Sequence, residues 1–451
     1  MKNLTQGNTF KIFFMFGIPL VFSGLLSQSY NIIDTMIAGK CIGEDGLAAV
    51  GGTAGLIQLT SSFMWGYSSG FCVYVAQMFG DKNYYGIKKC VIYNLLALLA
   101  VCILIGGGML LFRRPLFEFL NVDVRLYRDT SLYFSIYISG LYFIILNDCF
   151  IKIFNAIGDS KMSFLMSCLA AVLNIGGNIL SVAVLKMGVL GLVLASVISA
   201  SVVDLCYYLR LLQIFRQMDV LHLRVGYDPA VLHKSVSYAT PTSLQQITMY
   251  FSSAAVFPYI NAIGASATAA YTVVIKIFDI NACMYQGASM TVSNYTAQCV
   301  GGHKYHQLGK GLAVGAVLAA FCLIPLLILC ALFPRQISLF FFDKGVNEDA
   351  LGYAVLFMRY YLPFLVFNMI NNLLHAFYRG VRATGLLILV TFIGAASRIL
   401  GTLLLAPAGG MQGIYGAWVI SWVAEAAITL ILYFIGKWKP KELLNQQTAA
   451  H

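Results

Sequence analysis

The chain has 451 residues, of which 59% are hydrophobic and only 10% charged, with a mean hydropathy of +0.80. Soluble domains carry about 25% charged residues, so these figures exclude a soluble enzyme or binding domain. The net charge of +11 then reads as basic residues gathered on one side of a bilayer, not as a nucleic-acid surface.

Apolar runs long enough to cross a bilayer recur along the whole length. They predict helices at 12–38, 47–78, 88–112, 129–153, 162–185 and 188–213, then a polar bridge, "FRQMDVLHLRVGYDPAVLHKS", over 215–235. Six more follow at 236–261, 267–298, 311–333, 350–378, 384–406 and 412–436. The expected class is an all-α integral membrane protein with twelve transmembrane helices in two pseudo-symmetric six-helix bundles. The lobes are expected at 1–214 and 236–436, with a cytoplasmic linker at 215–235 and a basic cytoplasmic tail at 437–451. The first run is too long for a signal peptide and lacks a small-residue cleavage site. An even number of spans puts both termini on one side. That side holds seventeen lysines and arginines against eight on the other, which predicts cytoplasmic termini.

Three short echoes recur in order at one nearly constant offset, about half the chain. "IGEDGLAAVG" (42–51) answers "IGASATAAYT" (263–272), "AQMFGDK" (76–82) answers "AQCVGGHK" (297–304), and "GVLGLVLASVIS" (188–199) answers "GIYGAWVISWVA" (413–424). Six helices return the chain to the same side, so the repeats run parallel, and substrate and ion sites are expected near their interface.

A helix in lipid needs no polar face, yet five predicted helices have one. The first carries Ser23, Ser27, Asn31 and Asp34, with Gln28 beside them; the fifth carries Ser163, Ser167, Asn174, Asn178 and Ser181. The seventh has Thr242, Gln246, Tyr250 and Ser253, the eighth Thr272, Lys276, Asp279, Gln286 and Ser293, and the tenth Tyr361, Asn368, Asn372, His375 and Arg379. Such stripes suit a watered cavity between two lobes. Gln28, Asn31, Gln246, Tyr250, Lys276, Asp279, Gln286, Asn372 and His375 are its candidate lining. Serines, threonines and asparagines also serve as packing or interhelical glue, a reading that stays open for each. A carboxylate in mid-helix costs about 2.5–3.5 kcal/mol on insertion scales. Asp34 is therefore the candidate coupling residue, exchanging a proton or ligating Na⁺ with the amides of Asn174 and Asn178; snorkelling to the headgroups is the alternative.

Other intramembrane charges suggest pairing. Asp148 and Lys152 are four apart, Lys276 and Asp279 three apart, and Arg398 and Glu425 lie on the last two helices. Asp204 reads as interfacial. Eleven scattered cysteines show no CxxC or zinc spacing, and His303 and His306 have no further ligand nearby, so neither a disulfide framework nor a metal site is expected. No P-loop or HExxH occurs, so no cofactor is expected and transport runs on an ion gradient or the substrate's own.

From Lys11 to Trp438 the chain resembles the MATE (multidrug and toxic compound extrusion) family, in its DinF-like bacterial branch. "YNIIDTMIAGKCIGEDGLAAVG", the paired "AQMFGDK" and "TAQCVGGHK", "FNAIGDSKMSFLMSCLAAVLNIGGN" and "SRILGTLLLAPAGGMQGIYGAWVISW" carry the resemblance together. It implies a two-lobe exporter exchanging H⁺ or Na⁺ for amphiphilic, often cationic, compounds. It also implies a coupling carboxylate on the first helix, matched by Asp34, and an asparagine and an aspartate one turn apart on the fifth. The asparagine matches Asn174; the aspartate position holds Asn178, which removes one titratable group. Pro19 weakens the backbone ladder of the first helix, and Pro241 is its counterpart.

The expected protein is a monomeric, multi-pass secondary exporter of the bacterial cytoplasmic membrane. Its partners would be small amphiphilic substrates and the bilayer, without nucleic acid. The alternative is a flippase for a lipid-linked precursor, with Lys152, Lys276, His375 and Arg379 as candidate phosphate ligands.

Overall fold

The computed structural model describes residues 2–43, 50–120, 124–342 and 347–439; the tail from 440 onward, and residues 44–49 of the first echo, lie outside them. The long helices are α1 (Thr9–Cys41), α2 (Ala54–Gly80), α3 (Tyr84–Leu111), α4 (Tyr127–Ala156), α5 (Ser160–Val184) and α6 (Gly188–Gln217). After the bridge come α7 (Pro229–Ala254), α8 (Ala265–Gly301), α9 (Leu308–Leu332), α10 (Glu348–Gly380) and α11 (Thr384–Ile435). Among the described residues nine helices are long and apolar enough to span a membrane by length and composition alone. α2 and α7 fall outside that count, being diluted by polar runs such as "TSSFMWGYSSG" (60–70) and "ATPTSLQQ" (239–246). α11 is two spans joined at Gly410, whose φ of 53° and ψ of −132° leave the helical region. These additions make the twelve predicted spans.

Local chemistry sets several boundaries. Asn83 and Asp159 cap the starts of α3 and α5 by accepting from the amides of Gly86 and Met162, and Asn347 caps α10 through Asp349. Within α5, the α-helical hydrogen bonding ends at Asn178 and a π turn runs over Ile179–Val184. Surface and core are inverted relative to a soluble protein. Leu104 and Leu111 are 75% and 77% exposed, while Asn94, Asn155 and Gln298 are completely buried. Lipid replaces water outside, so apolar side chains face outward and polar ones find partners within.

The repeat is written in the backbone. Left-handed residues occur at Gly43 and Gly264, Lys82 and His303, Gly158 and Arg382, and Lys186 and Gly410, each pair separated by the offset of the sequence echoes. Close helix contacts repeat as well. Gly191 lies against Ser181 as Gly413 lies against Leu405, where a Cβ would come within 3.0 Å and 2.1 Å of its neighbour. Gly191 and Gly413 thus let the last two helices of each half touch.

The chain forms two compact units, Met1–Asn3 with Leu25–Ser243, and Leu4–Gly24 with Leu244–His451. The dividing points fall inside α1 and α7, whereas the sequence reading put them at the bridge. In the first unit α4 packs against α2, α3, α5 and α6; in the second α8 packs on α9 and α10, and α10 on α11. The bridge is tied down within the first unit. Lys88 Nζ donates to the carbonyls of Val220, Leu221 and Leu223 at 3.0, 2.8 and 2.7 Å, and Lys89 pairs with Asp228 at 3.0 Å.

Candidate functional site

In the first unit, Ser27, Asn31 and Asp34 lie on one face of α1, as their spacing predicts. They open onto a cavity of about 390 Å³, with Tyr133, Asp148 and Asn174 among its other walls. Asp34 is half-buried, and Asn174 and Asn178 are buried. Asn178 Nδ2 donates to Asp34 Oδ1. Turning the Asn174 amide so that its nitrogen faces the carboxylate pairs a donor with an acceptor, at 2.7 Å to Oδ1 and 3.3 Å to Oδ2. Asn178 sits where the π turn begins, and such turns are frequent at functional sites. Its Oδ1 is buried without a partner. Among the described residues Asp34 has no basic side chain within ion-pairing distance. A carboxylate cradled by amides and facing a cavity can hold a proton or a hard cation.

Asp148 and Lys152 are ion-paired at 2.5 Å, and Lys152 also donates to the Trp65 carbonyl at 2.9 Å. Asp204 is not interfacial. It is 4% exposed and accepts from Asn147 Nδ2 at 3.2 Å, because its face of α6 packs on α4. The same device recurs in the second unit, where Asn371 Nδ2 donates to Glu425 Oε2 at 3.3 Å. Asn371 and Glu425 follow Asn147 and Asp204 by the spacing of the echoes, so the repeat offset was a signal for both pairs.

The second unit holds a cavity of about 360 Å³, lined by Asp279, Gln286 and Asn372 of the predicted set, together with Asn368, Arg398 and Glu425. The expected Arg398–Glu425 ion pair is absent among the described residues. Arg398 Nη1 instead donates to Ser253 Oγ at 2.9 Å, with its guanidinium 4.9 Å from the Trp418 ring centroid. Glu425 Oε1 lies 3.1 Å from His375 Nε2, and His375 Nδ1 lies 3.0 Å from Gln245 Nε2. Nor do Lys276 and Asp279, both described, form a pair. Gln28, Gln246, Tyr250, Lys276 and His375 line neither cavity. No group of three or more His, Cys, Asp or Glu suited to a metal occurs among the described residues. Sequence reasoning missed the aromatic walls Tyr30, Tyr133, Tyr137 and Trp65, since an aromatic in an apolar run carries no pattern of its own.

Comparison with known proteins places this arrangement. The family model MatE matches residues 19–180 and again 241–404, two segments at the spacing of the internal repeat. The chain is 27% identical over 448 residues to a probable multidrug resistance protein of Bacillus subtilis, YoeA, covering 95% of this chain and 94% of that one. It is 20% identical over 453 residues to a second, YpnP, covering 99% of each. Among solved structures it is similar to an outward-facing multidrug resistance MATE family transporter, at 18% identity, a TM-score of 0.87, and coverage of 96% of this chain and 97% of that one. A MOP superfamily transporter from Pyrococcus furiosus, described as having a binding pocket of reversed polarity, gives 19%, 0.87 and the same coverage. At these identities the structures establish the twelve-helix, two-lobe fold. The chain therefore belongs to the MatE family, membrane transporters of the multidrug-efflux class and not enzymes.

Proposed function

We propose that this transporter is an exporter that exchanges H⁺ or Na⁺ for amphiphilic, mainly cationic, small molecules, by alternating access of its two lobes. Asp34 is the coupling residue. The observation that carries this reading is the Asp34 carboxylate, held by two buried amides at a cavity wall, with no basic partner among the described residues. A carboxylate neutralised by a permanent cation has nothing left to exchange; Asp34 is not so neutralised. Ion binding changes the charge that Asn174 and Asn178 hold, and so the tie between α1 and α5. The partly buried Asp148 is satisfied by Lys152, which leaves Asp34 as the exchangeable group of this cavity.

Of the four cations that would suit a flippase, Lys152 is engaged by Asp148, and none lines either cavity. Arg398, which does line the second cavity, rests on Ser253 and Trp418, and the exporter reading is preferred on the exchangeable Asp34 of the first. The protein is proposed to act as a monomer in the bacterial cytoplasmic membrane with cytoplasmic termini, on the basic-residue asymmetry.

The test is efflux of a fluorescent cationic dye from proteoliposomes under an imposed proton or sodium gradient. Wild type should move dye under one of the two gradients, which names the ion, and Asp34→Asn should lose gradient dependence. Full gradient-driven transport in Asp34→Asn would remove the residue from its role.

A further inference from the structure

Asp204, on α6, is a buried carboxylate that the coupling scheme leaves unused. Its Oδ1 accepts from Asn147 Nδ2 at 3.2 Å, and its Oδ2 is enclosed without a hydrogen-bond partner. Among the described residues no basic side chain lies within ion-pairing distance of it. The titratable groups around it are Tyr142 and Cys149 of α4 and Tyr207 of its own helix. The hydroxyls of Tyr142 and Tyr207 donate to the carbonyls of Leu95 and Ser163, the latter on α5, each at 3.5 Å. The charges next to Asn147 along α4, Asp148 and Lys152, neutralise each other. A lone buried charge is costly, and a proton is the smallest thing that removes it. Sodium would need several oxygen ligands, whereas the side chain beside Asp204 offers an N–H.

The position of Asp204 links two ends of the first unit. Asn147 lines the first cavity, as do Ser196, Ser199 and Ala200 of α6. Ala200 is one turn from Asp204 on the same face, so Asp204 lies behind the cavity wall. Ser196 Oγ is 3.3 Å from the Asn174 amide that faces Asp34. At ~1.5 Å per residue, Asp204 sits about 12 Å further along the axis of α6 than Ser196. Polar groups continue beyond it. Tyr207 reaches Ser163, the Ser163 hydroxyl donates to Asn155 at 2.9 Å, and Arg210 lies 3.9 Å from Asp159 at the turn between α4 and α5. That turn is on the side proposed as cytoplasmic.

We infer that Asp204 is a second proton-carrying residue, passing the proton between Asp34 and the cytoplasmic end of the first unit. The proton leaves the Asp34 carboxyl and travels through water, for which a polar cavity of about 390 Å³ has room. It binds the Asp204 carboxylate, leaving Asp34 charged and Asp204 neutral. Release toward Asp159 and Arg210 restores the Asp204 carboxylate, which the Asn147 amide then holds. The inference rests on Asp34 as the exchange site, and it selects H⁺ as the ion.

The test uses the purified full chain in proteoliposomes. Accumulation of ethidium under an imposed pH gradient needs net proton transfer; exchange of ethidium at equal pH on both sides does not. Wild type should do both. Asp204→Asn should lose driven accumulation about a hundredfold, the low end for a lost proton-transfer group, while exchange continues. Asp204→Glu should keep both. Driven accumulation retained in Asp204→Asn, equal loss of both activities, or driving of wild type by Na⁺ alone would overturn the inference. The acid-minus-alkaline infrared difference spectrum gives an independent readout. Wild type should show a protonated aspartic-acid carbonyl band that Asp204→Asn removes and Asp204→Glu shifts; a band that Asp204→Glu leaves in place would also overturn the inference, even if Asp204→Asn does not fold. Asp34→Asn, run alongside, separates the two readings. If it keeps driven accumulation while Asp204→Asn loses it, the coupling role of Asp34 falls and the proton-carrying role of Asp204 stands.

Discussion

Replacing Lys152 by methionine isolates the worth of the Asp148–Lys152 ion pair beside the first cavity. Lys152 Nζ is held by Asp148 at 2.5 Å and by the Trp65 carbonyl at 2.9 Å, with side-chain exposures of 10% for the lysine and 29% for the aspartate. The Trp65 carbonyl keeps the Ser69 hydroxyl at 2.8 Å, so Lys152→Met orphans no backbone group there. What it loses is one charged hydrogen bond to that carbonyl, and what it leaves is a carboxylate without its cation. Breaking a fully buried pair costs about 3–5 kcal/mol. The cavity lets water reach Asp148, which brings the expected loss to about 3 kcal/mol, the low end of that range. At about 2–4 °C per kcal/mol for a unit of this size, melting should fall by roughly 6–12 °C.

Removing the stranded charge as well, in Asp148→Asn with Lys152→Met, should recover more than half of that drop, a coupling that a double-mutant cycle reads directly. The assay is thermal unfolding in detergent, followed with a thiol-reactive dye. Seven of the eleven cysteines are buried, so labelling reports loss of packing. Unchanged melting in Lys152→Met, or a double variant no more stable than the single one, would refute this account of the pair.

Three further outcomes are expected. Gly70→Ala would put a methyl 2.1 Å from Thr242 Oγ1 and 2.4 Å from the Ala239 backbone, and should cost about 1–3 kcal/mol by overpacking in the same melting assay. Gly107→Ala, with nothing within 4 Å, should cost nothing measurable, and equal effects of the two would discount the contact. Lys88→Met removes the donor shared by three bridge carbonyls, so limited proteolysis should cut the bridge several-fold faster; an unchanged rate would mean that Lys89 and Asp228 suffice to hold it. Cys41 is exposed at the end of α1, and a membrane-impermeant maleimide should label it from outside the cell but not in Cys41→Ser. Labelling only after the cells are opened would reverse the proposed orientation.

The Asp34 cluster was legible because every part of it is local or helical. Its α1 residues recur at spacings of three and four, Asn174 and Asn178 sit one turn apart, and helix geometry alone puts each set on one face. The charges of the second unit were not legible in the same way. Arg398 and Glu425 belong to neighbouring spans, and opposite charge on neighbouring spans invites a pair. Whether they meet depends on the rotation and depth of each helix, which no spacing within one helix encodes. Asp204 shows the same limit: its position near a helix end suggested an interface, and only the packing of α6 on α4 reveals a buried partner.

Composition and periodicity by themselves determined that this chain spans a membrane twelve times and is built twice over. Both follow from one-dimensional quantities, the length of an apolar run and the offset of a repeat. Tertiary structure alone decided which polar residues share a cavity, that α1 and α7 each divide between two compact units, and that Arg398 faces a cavity and a hydroxyl instead of Glu425. A helix presents its polar face in a direction that its own sequence cannot name; the helices packed around it supply the reference.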